Sequence, residues 1–526
     1  MKTERAAVIL KGIKEGVERM HTKETKEDMT AQLRDGKILP LIIRLSIPAV
    51  IAQLITFLYN IVDRMYVARI EKSGMDALAA LGIVLPITLI IQAFANLIGL
   101  GGSPRAGIKM GEGNAEEANR IFNTGFLLLV IIGIVIGAVT FLFSRQIVVL
   151  FGCPPSAVEF AVAYLKIYSC GTLFVMLAQG LNPFILTQGY SMIAMGSVLV
   201  GAVMNIVLDP IFIFTLGMGV EGSSLATILS QGCSCVWVIL FFFSKKSLFH
   251  FTHFYRRHFN VRGINQNSDS TVQFSDRRYA GEDTRQGIKR HFNSGGIQGF
   301  WKRVADILSL GFTPFVMTIT ECAIQVVFNI NLNRSTGGNK DYTAALTVML
   351  SALQLISLPL NGLGNGVQPF VSYNYGKGDA DRLKKGIRYV TVIAFLFCVT
   401  IWSLSLAMPE MYAYFFSASE SVTAIVKEYG PFFLMGSIMF FVQMTLQNVN
   451  VALGQAKSAL ILAVIRKVVI LIPLCFILTN AIGFKGVYFS EGIADFTAGI
   501  ITSIVIFTTF PRVFKKRAQM VREKAL

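Results

Sequence analysis

The sequence predicts an all-α polytopic membrane protein: twelve transmembrane helices in two homologous six-helix lobes. Three observations carry that reading. Hydrophobic residues make up 53% of the 526 and charged residues only 15%, whereas a soluble chain carries about 25% charged residues. Apolar stretches long enough to cross a bilayer, about 20 residues each, recur along nearly the whole chain. The second half of the chain repeats the first at a constant offset. A single span bearing a soluble head does not fit, because the apolar material is spread throughout.

The first six spans are read at 41–67, 78–101, 121–143, 160–186, 190–214 and 221–243. The second six follow at 306–333, 343–368, 387–408, 426–452, 456–479 and 486–510. Asn96, Gly99, Gly101, Pro104, Gly111 and Gly113 recur as Asn361, Gly364, Gly366, Pro369, Gly376 and Gly378, each pair 265 positions apart. The same offset maps Ala79-Ala80-Leu81 onto Ala344-Ala345-Leu346, Tyr164 onto Tyr429 and Gly171 onto Gly436. Six spans per copy start both copies on the same side of the membrane, so an axis along the membrane normal relates them. Two such bundles flank a cleft, and rocking about it gives alternating access. Asn114 and Asp379 close the matched turns as helix N-cap residues. Glu116, Glu117 and Asp381 follow in first turns, where the helix dipole favours negative charge.

The domains expected are an arm (1–37), an N-lobe (38–244), a basic linker (245–303), a C-lobe (304–510) and a tail (511–526). The net charge of +17 is concentrated outside the spans. Residues 1–44, 245–303 and 511–526 hold 28 basic and 12 acidic side chains between them. Basic segments beside spans stay in the cytoplasm, so both termini and the linker are placed there, in a plasma (inner) membrane protein. The excess charge is thereby read as membrane orientation, and no nucleic-acid partner is expected, Arg256, Arg257, Arg277 and Arg278 notwithstanding. The linker is polar, without sustained period, and reads as mostly disordered. Its His250, His253 and His258 lie beside arginines, a poor setting for a metal. The seven cysteines show no paired ligand spacing. No cofactor or metal is expected.

No GxxxxGK[ST] loop, HExxH helix or GxSxG elbow occurs, which removes ATP hydrolysis and the common hydrolytic chemistries; the chain is not expected to be an enzyme. An ion gradient is then the energy source, and it requires ionisable groups inside the bilayer. A carboxylate there costs about 2.5–3.5 kcal/mol on insertion scales, so each is a functional candidate. The first half offers Asp63 and Asp209; the second offers Glu321, Glu491 and Asp495. Tyr59 and Asp63 share a helix face at i, i+4, as do Asn205 and Asp209. Asn182, before Pro183, and Thr227, after Gly222-Ser223-Ser224, can join them in one polar cluster. Pro48 and Pro314 loosen spans one and seven.

At these residues the chain resembles the multidrug and toxic compound extrusion (MATE) family. The carriers are Leu58-Tyr59-Asn60-Ile61-Val62-Asp63, Asn205 with Asp209-Pro210, and Gly219-Val220-Glu221-Gly222-Ser223-Ser224-Leu225-Ala226-Thr227. The resemblance runs from about residue 38 to 510, the linker apart. It implies a V-shaped pair of lobes, working as a monomer, that exports organic cations in exchange for H⁺ or Na⁺. Cation coupling would fall on Tyr59, Asp63, Asn182, Asn205, Asp209 and Thr227, with helix bending at Pro48. Glu321 resembles one member of a second-lobe cation site found in other members. Its span-ten partner is missing here, which favours coupling in the first lobe. Met176, Phe184, Met317, Phe440 and Met444 are candidates to line an adaptable cleft for flat cations. A lipid-linked oligosaccharide flippase is the rival reading; it calls for a cleft lined by Arg and Lys, and Arg466 and Lys467 are among the few available. Deleting 255–290 is expected to leave dye efflux and membrane abundance intact, since long polar loops cost little to close.

Overall fold

The computed structural model describes residues 26–67, 69–70, 74–251, 297–416 and 418–525. His253, His258 and Arg256, Arg257, Arg277 and Arg278 lie outside them. Every regular element among the described residues is helical. Among the described residues, ten helices are long and apolar enough to span a membrane, and two bent pairs, each taken as one span, raise the number to twelve. In order, the first six are Ile38–Val67, Ala80–Gly111, Ala115–Leu142, the pair Val158–Cys170 with Thr172–Thr187, Ser191–Thr215 and Gly219–Phe243. The second six are Gln298–Thr336, Lys340–Lys377, Ala380–Ala407, the pair Glu420–Met439 with Phe441–Ala452, Ala456–Ile482 and Lys485–Glu523.

The bends fall at equivalent places and share a cause. Span four turns by 58° at Gly171, and span ten by 41° just beyond Gly436. A Cβ on Gly171 would run into the Ile228 side chain of span six, and one on Gly436 would meet Asp495 and Gly492 of span twelve. The matched glycines therefore allow span four to press on span six, and span ten on span twelve. The matched turns are capped as well: Asn114 accepts from the Glu117 amide at 2.9 Å and Asp379 from the Arg382 amide at 3.0 Å.

Spans two and eight meet along the axis between the halves, and equivalent residues touch there. Gln368 donates to Ser103 Oγ at 2.9 Å, and the two are 265 positions apart. One turn on, Gly107 faces Ser372, again 265 apart; a further turn on, Gly111 lies on the Tyr373 carbonyl while Gly376 lies on that of Ile108. This four-residue spacing keeps the contacts on one face of each helix. Spans one and seven exchange in the same way: Gly101 packs on Ile307 and Gly311, Gly366 on Leu45 and Ser46. A side chain at Gly376 has only backbone to displace. Gly376→Val is expected to destabilise the protein by about 1–3 kcal/mol, as overpacking does, read as a lower melting temperature in detergent.

The described end of the arm and the tail up to Ala525 are helical. Lys26–Asp35 is a helix whose Met29 and Leu33 are buried. It reaches both halves: Asn374 donates to the Leu33 carbonyl at 3.1 Å and Arg382 to that of Gly36 at 2.6 Å, while Arg44 donates to Gln32 at 2.8 Å. The last helix runs on through Ala525, so the tail is not a separate segment. From it Arg517 donates to Glu112 Oε1 and to the Gly376 carbonyl, both at 2.7 Å. Burial works against ionisation of Glu112, but bonds from Lys109 and Arg517 outweigh it and hold the carboxyl below its ordinary range. A depressed carboxyl contributes stability that is present above its unfolded-state value and lost as pH falls through the lowered one. Acidification is therefore expected to loosen this tie, and Glu112→Gln to remove that part of the pH dependence, measured as melting temperature against pH.

The linker begins later than 245. Residues 245–251 fold back under the N-lobe, where Gln188 accepts from the Leu248 amide at 2.5 Å and Asn119 from the His250 amide at 2.8 Å. Span seven begins at Ile297, inside the range assigned to the linker. Buried Phe249 stacks on Phe122, an apolar anchor that polar composition alone concealed.

Candidate ion-coupling and substrate sites

In the N-lobe, spans one, five and six bring Asp63, Asp209, Asn205 and Thr227 together. Asp209 is wholly buried, and its carboxyl lies within hydrogen-bonding reach of the Asp63 carboxyl. Ser223 donates to Asp63 Oδ1 at 2.9 Å. The Asn205 amide reaches Asp209 Oδ1 at 3.4 Å and Thr227 Oγ1 at 3.5 Å. Asp209 Oδ2 and Asn205 Oδ1 are buried and accept no hydrogen bond. The helix beyond Asp209 changes to a π-turn at Ile211–Thr215, a local widening found often at functional sites. Tyr59 lies half-buried one turn from Asp63. Tyr164 and Ser223, neither of them predicted, also belong here, Tyr164 through its hydroxyl contact with Thr227.

Asn182 is held elsewhere. Its amide donates to the Ala194 carbonyl at 3.0 Å and to Ser197 Oγ at 2.5 Å, tying span four to span five three turns before Asp209. Pro48 lies inside an unbroken helix, Ile38–Val67.

The C-lobe holds a second charged cluster at a different level. Arg466 bonds Asp495 at 2.7 Å and Lys467 bonds Glu321 at 2.9 Å. Three of these side chains are almost fully buried, whereas Glu321 is half exposed. Glu491 lies in the same field. Glu321 thus has a partner, but on span eleven, where the sequence reading looked to span ten. Arg466 and Lys467 occupy the middle of the Ala456–Ile482 helix, again within a π-turn, Ile465–Leu471. At the repeat offset the five correspond to Thr56, Gly201, Ala202, Ala226 and Ser230, all uncharged. Thr56 is seven residues before Asp63, about 10 Å along a helix. The duplicated halves have therefore placed their ionisable groups at different depths.

Most of the cleft candidates are core residues. Phe184 is fully buried against Phe122 and Phe249. Met176 is buried against Gly133, and Met444 is buried within the π-turn of span ten. Phe440 is covered by the Arg466 guanidinium at 5.4 Å. Only Met317 among the five lines the cavity between the lobes, beside Thr313, Pro314, Gln447, Asn448 and Asn365.

The MatE family model matches residues 48–211 and again 315–477, one match per half. The chain belongs to the MATE family. Its relatives include the multidrug export protein MepA of Staphylococcus haemolyticus, 24% identical over 500 residues that cover 94% of this chain and 99% of the relative. MepA of Staphylococcus aureus is 23% identical with the same coverage. Among solved structures, the outward-facing conformation of a multidrug resistance MATE family transporter superposes with a TM-score of 0.78 at 21% identity, over 94% of this chain and all of that one. A MATE in the bent conformation gives 0.78 at 22% identity, over 93% and 99%. These likenesses establish the fold. As a MATE transporter, the chain is a multi-pass membrane protein.

Proposed function

We propose that this MATE transporter is a secondary active multidrug antiporter of the plasma membrane, exporting organic cations in exchange for H⁺ or Na⁺. The observation that supports it most is the juxtaposition of Asp63 and Asp209. Two carboxyl groups side by side, one wholly buried at Asp209 and one half-buried at Asp63, favour a proton or cation between them, because bare charges repel strongly at low dielectric. Loading that site from the outer side and unloading it inside would drive the lobes between two states. The contacts that join the lobes run from the middle of spans two and eight to their ends beside the arm helix and Arg517. With the arm and tail in the cytoplasm, this is a state closed inside and open outside. The names of the MepA relatives support drug export as the task.

The flippase reading loses its main support. Arg466 and Lys467 are bound to Asp495 and Glu321, so their charge is balanced within the lobe and not offered to a pyrophosphate. The deciding experiment is uptake of an ethidium-like dye into inverted vesicles under imposed H⁺ or Na⁺ gradients. Dye accumulation with one gradient is expected; none with either, together with an altered cell-envelope polysaccharide, would favour the flippase. Orientation is checked with cysteine labels. A label at Gly338 is expected to react with impermeant reagent in intact cells and one at the C-terminus to be shielded; the reverse would invert the direction of transport.

A further inference from the structure

The arm helix belongs to one lobe and is capped by the other. Lys26–Asp35 runs into span one through Gly36 and Lys37 and is seated on the N-lobe. Gly189, in the turn between spans four and five, leaves room for it: a Cβ there would lie 2.8 Å from Met29 Cε and 3.8 Å from Leu33 Cδ1. Arg44 of span one donates to Gln32 at 2.8 Å. The last carbonyls of a helix have no partner within it, and here the C-lobe supplies donors. Asn374 of span eight donates to the Leu33 carbonyl at 3.1 Å, and Arg382 of span nine to the Gly36 carbonyl at 2.6 Å. A guanidinium at that end also suits the helix dipole.

The same exchange occurs at the matching place in the repeat. Arg382 lies 265 positions after Glu117. Glu117, in the first turn of span three, pairs at 3.5 Å with Arg303 near the start of span seven, and Arg303 also donates to Thr124 at 3.4 Å. The chain entering span seven thus leans on the third span of the N-lobe, as the chain entering span one leans on the third span of the C-lobe. The chemistry differs, since one tie is an ion pair and the other a guanidinium on a backbone carbonyl. What recurs is a bond across the boundary between the lobes, at the same position in each half.

We propose that the arm helix is a strap that sets the balance between the inside-closed and the inside-open transporter. Rocking that parts the cytoplasmic ends of spans two and eight carries Asn374 and Arg382 away from the N-lobe, so the arm must let go of one lobe. Release from the C-lobe leaves two carbonyls without the donors that cap them; release from the N-lobe uncovers Met29 and Leu33. Both routes are uphill, and both therefore favour the closed state. The strap is fixed at two ends, and cutting either end should have the same effect. The inference rests on the reading given above, in which the lobes move between two states.

The test reads the separation of the lobes directly, with spin labels on genetically encoded residues so that the native cysteines stay in place. One pair, at the exposed Ala115 and Lys385, spans the cytoplasmic ends of the lobes. A second pair, at the exposed Leu150 and Phe415, spans their outer ends. Leu33→Ser loosens the arm from the N-lobe, and Arg382→Leu frees it from the C-lobe. In the full-length protein in detergent, each variant is expected to raise the ratio of long to short distances at the inner pair by about tenfold, with the outer pair shortening in step. That factor is the worth of one buried aliphatic side chain or one charged hydrogen bond. A folded variant of either kind that keeps the wild-type distances overturns the strap. Lengthening of the inner pair without shortening of the outer pair overturns it too, because the change is then local fraying. No transported ion enters this readout, so its failure is distinct from a failure of dye uptake, which overturns the exporter reading.

Discussion

Asp63→Asn is expected to abolish gradient-driven dye efflux while leaving dye binding in detergent measurable. The substitution keeps the shape of the side chain and its bond from Ser223, yet removes the charge that a proton or Na⁺ would neutralise. Asp209→Asn should have the same effect, because its carboxyl shares the site with Asp63. Groups that act as one unit are not additive, so the double variant should be scarcely worse than either single one. Efflux in inverted vesicles, normalised to membrane abundance, reads the outcome. Glu321→Gln is expected to be milder, since Lys467 already satisfies that carboxylate. Full efflux by both aspartate variants, with Glu321→Gln alone inactive, would move coupling to the second lobe.

Arg466→Met is expected to be among the most destabilising single changes in the C-lobe. It leaves Asp495 buried and without its 2.7 Å partner, and stranding one member of a buried ion pair costs about 3–5 kcal/mol. It also uncovers Phe440. Adding Asp495→Leu should recover much of the loss, because a packed apolar pair often replaces a buried ion pair without penalty. Melting temperature in detergent and yield of monodisperse protein would show it. A single variant as stable as wild type would mean that the pair is not sealed from water.

The halves, their spans and their capped turns were legible in the residues, because each is a local property. A run of apolar side chains about 20 residues long dictates a helix in lipid, where every backbone group must be satisfied within its own segment. The glycines matched at the 265-residue offset were equally visible, although what they pack against was not. Asp63 and Asp209 could be singled out by cost alone, since a carboxylate in a span is rare without a purpose. For the C-lobe the signal was present but unread: two cations in span eleven and two carboxylates in span twelve, with Glu321 in span seven, invite pairing across helices.

Long-range geometry decided the rest. Phe184, Met176, Phe440 and Met444 have the same composition as cleft residues, and only contacts with other parts of the chain bury them. The arm helix reads as a polar extension until Met29 and Leu33 find a surface made by both halves. Asn182 matches the coupling motif by spacing, yet its amide is taken up by Ala194 and Ser197 before it can reach Asp209. By itself the sequence determined that this chain is a duplicated twelve-helix membrane protein with acidic groups in its spans, because lipid acts on each helix separately. Which ionisable groups meet, and at what depth, was decided only by tertiary packing, because helix rotation and crossing depend on contacts between residues hundreds of positions apart.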